Sequence, residues 1–202
     1  DEVDVSNSGR ITGDELSVVA EGQTDLRTAV NTLHADLVAK GHLTVDELDA
    51  LILGTVETAN GAITASAGGT LQAQDVRSLN SRASNAIQLT STGGDLQLQD
   101  VDAGDRAAIQ LNSAGMISDL GGTLVADHLE AVAGAAATLH TDVDTAVVET
   151  TGTGDIVLTD TGSVTLQRVE AADGSISADA QETLTAVEVR SLTDAAGNDI
   201  TL

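Results

Sequence analysis

Short runs of alternating apolar and polar residues recur along the chain, and Gly, Asp, Asn or Ser residues separate them. In many of these runs an Ile follows two residues after a Gly, Asn or Ala. These isoleucines are Ile63, Ile87, Ile109, Ile156, Ile176 and Ile200, and the steps between them are 24, 22, 47, 20 and 24 residues. The step of 47 is taken as two steps of the same kind. Because alternation places one side of a strand inside and the other in water, each run predicts a short β-strand.

Each period contains two further apolar positions, so it holds three short runs. Eight or nine residues after four of the isoleucines comes a Leu or Val, and a Val follows each of these. The first set is Leu71, Leu96, Val164 and Leu184, and the second set is Val76, Val101, Val169 and Val187. Three strands in every 20 to 24 residues predict a parallel β-helix, whose coils must stack because no coil buries its inner face alone. Residues 154–191, which repeat one pattern twice, are then two successive coils.

The first third of the chain allows a second interpretation. Helical spacing is found in Leu26, Val30, Leu33 and Leu37. Thr44 and Glu47 form a capping-box pattern, and Gly54 would end such a helix. However, TLHADL at 32–37 recurs as TLHTDV at 138–143, where the surrounding residues alternate. We therefore expect the solenoid to continue through residues 1–60, and a helical hairpin is the alternative there.

The stretch LTVDELDALILGTVETANGAITASAGGTLQAQDV carries a family resemblance. It resembles the filamentous-haemagglutinin-like β-strand repeats of very large bacterial exoproteins. The matching segments are residues 43–45, 51–56, 61–63 and 69–71. The resemblance implies a right-handed β-helix in a secreted or surface-displayed protein that adheres, spans or assembles. It implies no catalytic residues.

Composition narrows the class of protein. The 202 residues contain no Phe, Tyr, Trp, Pro or Cys, and the formal net charge is −24. Without aromatic anchors a small-molecule pocket is disfavoured, and Val, Ile, Leu and Ala suit a narrow interior of stacked layers. Such an acidic chain would be repelled by nucleic acid and by anionic membrane surfaces. The lack of Cys excludes disulfides and thiol chemistry, and no apolar run is long enough to insert in a membrane.

Two kinds of residue are candidates for chemistry. Asp-rich turns that could bind Ca²⁺ contain Asp100, Asp102, Asp142 and Asp144, although neither the β-roll nonapeptide nor the EF-hand pattern is present. Polar turn residues that keep a rod soluble are the alternative. The histidines are His34, His42, His128 and His140, and we interpret His34 and His140 as matching positions of the repeat. No cofactor is implied, and a polysaccharide-acting enzyme is disfavoured because it would need aromatic sugar platforms.

These observations predict a single elongated right-handed β-solenoid over residues 1–202, with roughly eight or nine coils of 20 to 24 residues. The expected function is a structural segment of an extracellular or cell-surface filament, stalk or giant adhesin, and it is not an enzyme. The alternative is an adhesin module that binds a glycan, a host surface or a neighbouring cell.

We also expect the chain to join another copy of itself head to tail, as one period of a longer array. Writing the last residues before the first ones aligns them with residues 95–109. The matched pairs are Asp199 with Asp95, Ile200 with Leu96, Leu202 with Leu98, Val3 with Val101, Asp4 with Asp102, and Ile11 with Ile109. In the tandem version a peptide bond joins Leu202 to Asp1, and in the other version separate subunits stack.

Overall fold

The structure is a computed structural model, and it describes residues 4–193 and 195–202. In these residues the chain forms 18 β-strands and no helix, and all strands join one sheet. The strands are β1 (Val5–Ser6), β2 (Ile11–Ala20), β3 (Thr24–Lys40), β4 (Leu43–Glu47), β5 (Leu51–Asn60), β6 (Ile63–Ala67), β7 (Leu71–Ser78), β8 (Ile87–Ser91), β9 (Leu96–Ser113), β10 (Ile117–Asp119), β11 (Leu124–Ala133), β12 (Ala137–Thr153), β13 (Ile156–Asp160), β14 (Val164–Asp173), β15 (Ile176–Ala180), β16 (Leu184–Ala186), β17 (Val189–Ser191) and β18 (Ile200–Thr201).

Parallel pairing winds these strands into a β-solenoid of about ten turns. One ladder of paired residues passes through every turn of the described chain and consists of Val5, Thr24, Leu43, Ile63, Ile87, Ile109, Leu129, Ala146, Leu166 and Ala186. At about 4.8 Å per turn the rod is about 45 Å long. The predicted fold class is confirmed. The predicted number of coils was too low because some turns are short, as between Leu129 and Ala146.

The first third of the chain is β-structure, so the helical alternative was wrong there. Strand β3 alternates buried and exposed residues from Leu26 to Val30 and again from Leu33 to Leu37. The alternation changes phase between Val30 and Leu33 because the strand turns a corner of the solenoid at this point. Two alternating runs of opposite phase, joined by a corner, produce the spacing that imitates a helix.

The interior is a single stack of aliphatic side chains. Large residues such as Leu33, Leu53 and Ile87 are fully buried, and alanines such as Ala73 occupy other positions of the same ladders. Mixing large and small residues fills a narrow interior without aromatic rings. Buried hydroxyl groups satisfy carbonyl groups at the corners, as where Ser91 Oγ donates to the Gly69 carbonyl at 2.7 Å.

The chain contains an internal duplication that the sequence analysis missed. Strands β4, β5 and β6 are repeated by β13, β14 and β15 with residue numbers that differ by 113. We call residues 4–89 the first module and residues 117–202 the second module, and β9 lies between them. A long loop is conserved between the modules in its hydrogen bonds. Asn85 Nδ2 donates to the Asn80 carbonyl at 2.7 Å, and its counterpart Asn198 Nδ2 donates to the Thr193 carbonyl at 3.0 Å.

The second module is rotated about the solenoid axis relative to the first. Ile63 and Ile87 lie on the ladder of Ile109. Their counterparts Ile176 and Ile200 lie on a different ladder, which passes through Leu71, Leu96, Ile117, Ala137 and Ile156. A residue of the second module therefore lies five turns and part of a sixth turn farther along the solenoid than its counterpart in the first module. The six isoleucines form two ladders of three, so the step of 47 residues does not represent two turns of one ladder.

Other details of the predicted period are partly confirmed. Ile156 pairs with Ile176 and Val164 pairs with Leu184, so residues 154–191 are two successive coils. Val169 pairs with Val189 rather than with Val187. Val187 is 70% exposed because it follows the end of β16, in the corner before β17.

The predicted alignment of the two chain ends stays a prediction, because it concerns how one copy continues into another. Within one copy the ladder of Ile109 reaches Val5, whereas Ile11 pairs with Thr28 on another ladder. Asp1 and Val3, which also belong to that alignment, lie outside the described residues.

Candidate functional site

The four candidate calcium ligands lie on the outer surface, in strands β9 and β12. Asp102 and Asp142 share one outward-facing ladder, but Val125 lies between them. Two strand spacings place their Cα atoms about 9.6 Å apart. Calcium binds oxygen atoms at about 2.3–2.6 Å, so this pair is poorly placed to share one ion.

Two of these aspartates accept hydrogen bonds from backbone N–H groups. Asp102 Oδ1 accepts a hydrogen bond from the Gly104 N–H at 2.8 Å, and Asp100 Oδ1 accepts one from the Thr123 N–H at 3.4 Å. Asp142 and Asp144 are exposed. Within residues 4–193 and 195–202 no group of three or more His, Asp or Glu residues is arranged to hold a metal ion. A calcium-binding role of Asp100, Asp102, Asp142 and Asp144 stays a prediction.

Each histidine contacts a neighbouring turn through Nδ1. His34 Nδ1 accepts a hydrogen bond from the Thr55 N–H at 3.1 Å, and His42 Nδ1 accepts one from the Ala62 N–H at 2.9 Å. The other two contacts join His128 to the Thr145 hydroxyl at 2.8 Å and His140 to the Gly122 carbonyl at 3.0 Å. These contacts connect adjacent turns of the rod.

The 113-residue offset does not relate His34 to His140, and their interpretation as matching positions of the repeat stays a prediction. Residue numbers that differ by 113 give Val147 as the counterpart of His34 and Arg27 as the counterpart of His140. The similar segments TLHADL and TLHTDV lie 106 residues apart. The ladder of Leu33 passes through Leu53, Ala73 and Leu98 to Asp119 of β10, the strand that pairs with the start of β12.

Two carboxylates are buried inside the solenoid, and the sequence analysis proposed neither as an interior residue. Glu47 is 3% exposed and Asp160 is 0% exposed. Each ends its strand, β4 or β13, at a tight turn. Glu47 and Asp160 each lie two residues after a buried apolar residue of the same strand. This alternation was the signal in the sequence that these side chains face the interior.

Backbone and hydroxyl donors satisfy both buried carboxylates. Glu47 accepts hydrogen bonds from the N–H groups of Val30 at 3.0 Å and Leu48 at 2.8 Å. Asp160 accepts them from the N–H groups of Val143 at 3.1 Å and Gly162 at 2.9 Å. Buried charges are tolerated when such donors surround them, so these two residues fasten one turn to the preceding turn.

The outer face of β8, β9 and β11 bears a concavity with a volume of about 170 Å³. Gln88 pairs in register with Gln110, which pairs with Glu130, and Thr90 pairs with Asn112. Polar side chains thus repeat once per turn along this face. They can exchange hydrogen bonds with hydroxyl-rich ligands or with water.

Carboxylates dominate the remaining surface. Asp36 is the register neighbour of Glu57, and Asp75 is the register neighbour of Asp100. Some arginines offset this charge, as in the ion pair of 3.1 Å between Arg168 and Glu149. Adjacent like charges on a ladder repel each other, and dissolved salt weakens that repulsion.

No family model, curated protein or solved structure matches this chain. The resemblance to filamentous-haemagglutinin-like repeats therefore stays a prediction. Among the residues that the structure describes, no helix has the length and apolar character needed to cross a lipid bilayer. The class of protein that the fold defines is the β-solenoid.

Proposed function

We propose that the chain is a structural segment of an extracellular or cell-surface filament, stalk or giant adhesin, and that copies of it stack end to end. The single observation that carries this proposal is the unbroken stack of ladders, which runs from Val5 to Ala186. A parallel β-solenoid grows along one axis by adding equivalent turns. Such a rod lengthens by about 4.8 Å with each added turn, and its cross-section stays constant.

The surface chemistry is consistent with a rod exposed to solvent. A net charge of −24 keeps the chain soluble and discourages side-by-side aggregation of rods. The β-strand edges at the two ends are the places where backbone groups can pair with another chain. Growth at the ends is therefore favoured over lateral growth.

Electron microscopy and sedimentation of the purified chain test this proposal. We expect rods of about 45 Å at low concentration and longer filaments of unchanged width at higher concentration. Rods that stay monomeric over the whole concentration range would argue against stacking. Globular particles would contradict the structural role itself.

The groove on β8, β9 and β11 favours a second candidate function, the binding of a glycan by an adhesin. Gln88 and Gln110 present two stacked amides there. A glycan array should then show saturable binding that the double variant Gln88→Ala, Gln110→Ala abolishes. The matched control is Gln72→Ala with Gln97→Ala, which removes the same stacked pair from another face. Equal loss in both variants, or no binding by the original chain, would refute this function.

A further inference from the structure

One corner of the solenoid lines a cavity of about 360 Å³ in the first module. The corner consists of the residues that precede β4, β6 and β8 in successive turns. Lys40, which is the only lysine of the chain, and Arg82 both line the cavity. Asp4 is the one carboxylate among the described residues that line it, and its Oδ1 accepts a hydrogen bond from the Gln23 N–H at 2.8 Å. The cavity is therefore positively charged, although the formal net charge of the chain is −24.

His42 lines the same cavity and contributes a hydrogen-bond donor. Its Nδ1 accepts a hydrogen bond from the Ala62 N–H at 2.9 Å. A ring nitrogen that accepts carries no hydrogen, so the hydrogen of this imidazole is on Nε2. The Nε2–H group is thus available to a ligand in the cavity. We call Lys40, His42 and Arg82 the basic corner.

A buried asparagine fixes the loop that carries Arg82. Asn85 is 2% exposed, and its N–H donates to the Arg82 carbonyl at 2.9 Å. Its Nδ2 donates to Asn60 Oδ1 of the preceding turn at 3.1 Å. The backbone at Arg82 is therefore ordered before any ligand binds, which lowers the entropy cost of binding.

The second module repeats the hydrogen bonds of this loop. Asn198 is the counterpart of Asn85. Its N–H donates to the Ala195 carbonyl at 3.2 Å, and its Nδ2 donates to Asp173 Oδ1 at 3.1 Å. The backbone of the loop thus forms with different residues at the positions of Arg82 and Asn60.

The charge of the corner differs between the modules. In the second module the counterparts of Lys40, His42 and Arg82 are Thr153, Asp155 and Ala195. Asp155 Oδ1 accepts a hydrogen bond from the Ser175 N–H at 2.7 Å, just as His42 Nδ1 accepts one from the Ala62 N–H. An acidic side chain therefore suffices for the contact between turns. This contact does not explain why the first module has a donor and two cations at the corner.

We propose that the basic corner binds one sulfate or phosphate group. The ammonium group of Lys40, the guanidinium group of Arg82 and the Nε2–H group of His42 are donors for its oxygen atoms, and hydrogen bonds between charged groups are the stronger kind. Among the described residues neither Lys40 nor Arg82 forms an ion pair, so both charges are available. The acidic remainder of the rod repels long polyanions, which favours a single anionic group. This binding is separate from the structural role and does not require copies to stack.

Equilibrium dialysis against radiolabelled sulfate at constant ionic strength tests the site, and it works for single rods and for filaments alike. We expect saturable binding of a single sulfate per chain. The test variant is Lys40→Thr with Arg82→Ala, which introduces the residues that the second module has at this corner. It should keep the circular dichroism of the original chain and bind sulfate about tenfold more weakly, because two charged donors are lost.

The matched control is Arg27→Ala with Arg106→Ala, which removes the same charge from two other exposed positions. Both variants have the same net charge, so general repulsion of sulfate by the rod is equal in the two. The control should bind sulfate like the original chain. Equal loss in both variants would overturn the site, and so would a lack of saturable binding by the original chain. Neither result would bear on whether copies stack.

His42→Asp separates the ligand contact from the contact between turns. Its carboxylate can accept from the Ala62 N–H, as Asp155 accepts from Ser175, so the unfolding temperature should stay unchanged. Sulfate binding should be lost, because the substitution replaces a donor with a negative charge. Binding as tight as that of the original chain would overturn the assignment of His42.

Competition with dextran sulfate at an equal concentration of sulfate groups identifies the source of the anion. Displacement of the labelled ion would assign the site to a sulfate group on a polysaccharide. Labelled sulfate that stays bound would assign it to the free ion, which the net charge of the rod favours.

Discussion

Glu47 and Asp160 occupy the same place in the two modules, and each carboxylate fastens its turn to the preceding one. Val30 donates its N–H to Glu47 at 3.0 Å, and Val143 donates its N–H to Asp160 at 3.1 Å. The Thr residue paired with each acid is also conserved, as Thr28 beneath Glu47 and Thr141 beneath Asp160. Both modules therefore keep the buried acid together with the N–H group that donates to it. Replacing the acid alone would leave that N–H group without an acceptor.

Replacing Glu47 with Ala should destabilise the rod, because the Val30 N–H loses its acceptor in the interior. A buried donor without a partner costs about 1–3 kcal/mol in the free energy of unfolding. Denaturant unfolding followed by circular dichroism measures this change. An Ala variant as stable as the original chain would show that the carboxylate does not fasten the two turns.

The matched control for this substitution is Glu47→Asp. It reproduces the second module, where Thr141 Oγ1 donates to Asp160 at 2.7 Å. In the first module the Thr28 hydroxyl has no hydrogen-bond partner among the described residues. A shorter acid should accept from this hydroxyl, so we expect Glu47→Asp to lie within about 1 kcal/mol of the original stability.

Gly61 should tolerate no side chain, because two corners of adjacent turns approach each other there. A Cβ atom at Gly61 would overlap the carbonyl group of Gly41 in the preceding turn, which is backbone and cannot swing away. Gly61→Ala should therefore lower the unfolding temperature markedly, as overpacking of this kind costs about 1–3 kcal/mol or more. Gly13→Ala is the control, since its Cβ atom would meet only the Glu15 carbonyl at 3.9 Å. Equal effects of the two substitutions would contradict the close approach.

Alternation in the sequence was sufficient to predict strands and their parallel stacking, and the recurrence of TLHADL as TLHTDV extended the solenoid through the first third. It could not assign strands to ladders, because every ladder has a similar apolar pattern. Ile109 and Ile156 look alike in the sequence and lie on different ladders. The rotation between modules depends on where corners fall, and a corner such as that between Val30 and Leu33 is set by packing against adjacent turns.

The site residues were harder to predict for a related reason. Asp102 and Asp142 are residues of the type that binds calcium. Their distance depends on how many turns separate them on the ladder, which the sequence does not show. Glu47 looked like part of a helix cap because local patterns do not show which side of a strand faces the interior. Comparing the sequence with itself at an offset of 113 residues would have identified its partner Asp160.

Asp36→Asn should stabilise the rod at low salt, because Asp36 and Glu57 are like charges paired across adjacent turns. Relief of such a pair is worth about 0.2–1 kcal/mol and should fade at about 1 M salt, where charges are screened within about 3 Å. Thermal unfolding at both salt concentrations measures the effect. The control is Asp46→Asn, whose register neighbours are Arg27 and Ser66, and which should bring no gain. A gain that persists at high salt would exclude repulsion as its cause.

Exchange of equivalent segments should preserve the fold, since the modules differ by a rotation and not by their local structure. The test replaces residues 156–173 with a copy of residues 43–60. The inward positions of β13 then stay apolar up to its last residue, where Glu47 replaces Asp160. We expect a cooperative transition whose midpoint moves by about 2–4 °C for each kcal/mol of altered packing. A copy of residues 42–59 is the control, because a shift of one residue turns every inward side chain outward. This control should lose the cooperative transition, and if it unfolds like the in-register exchange, the 113-residue equivalence is wrong.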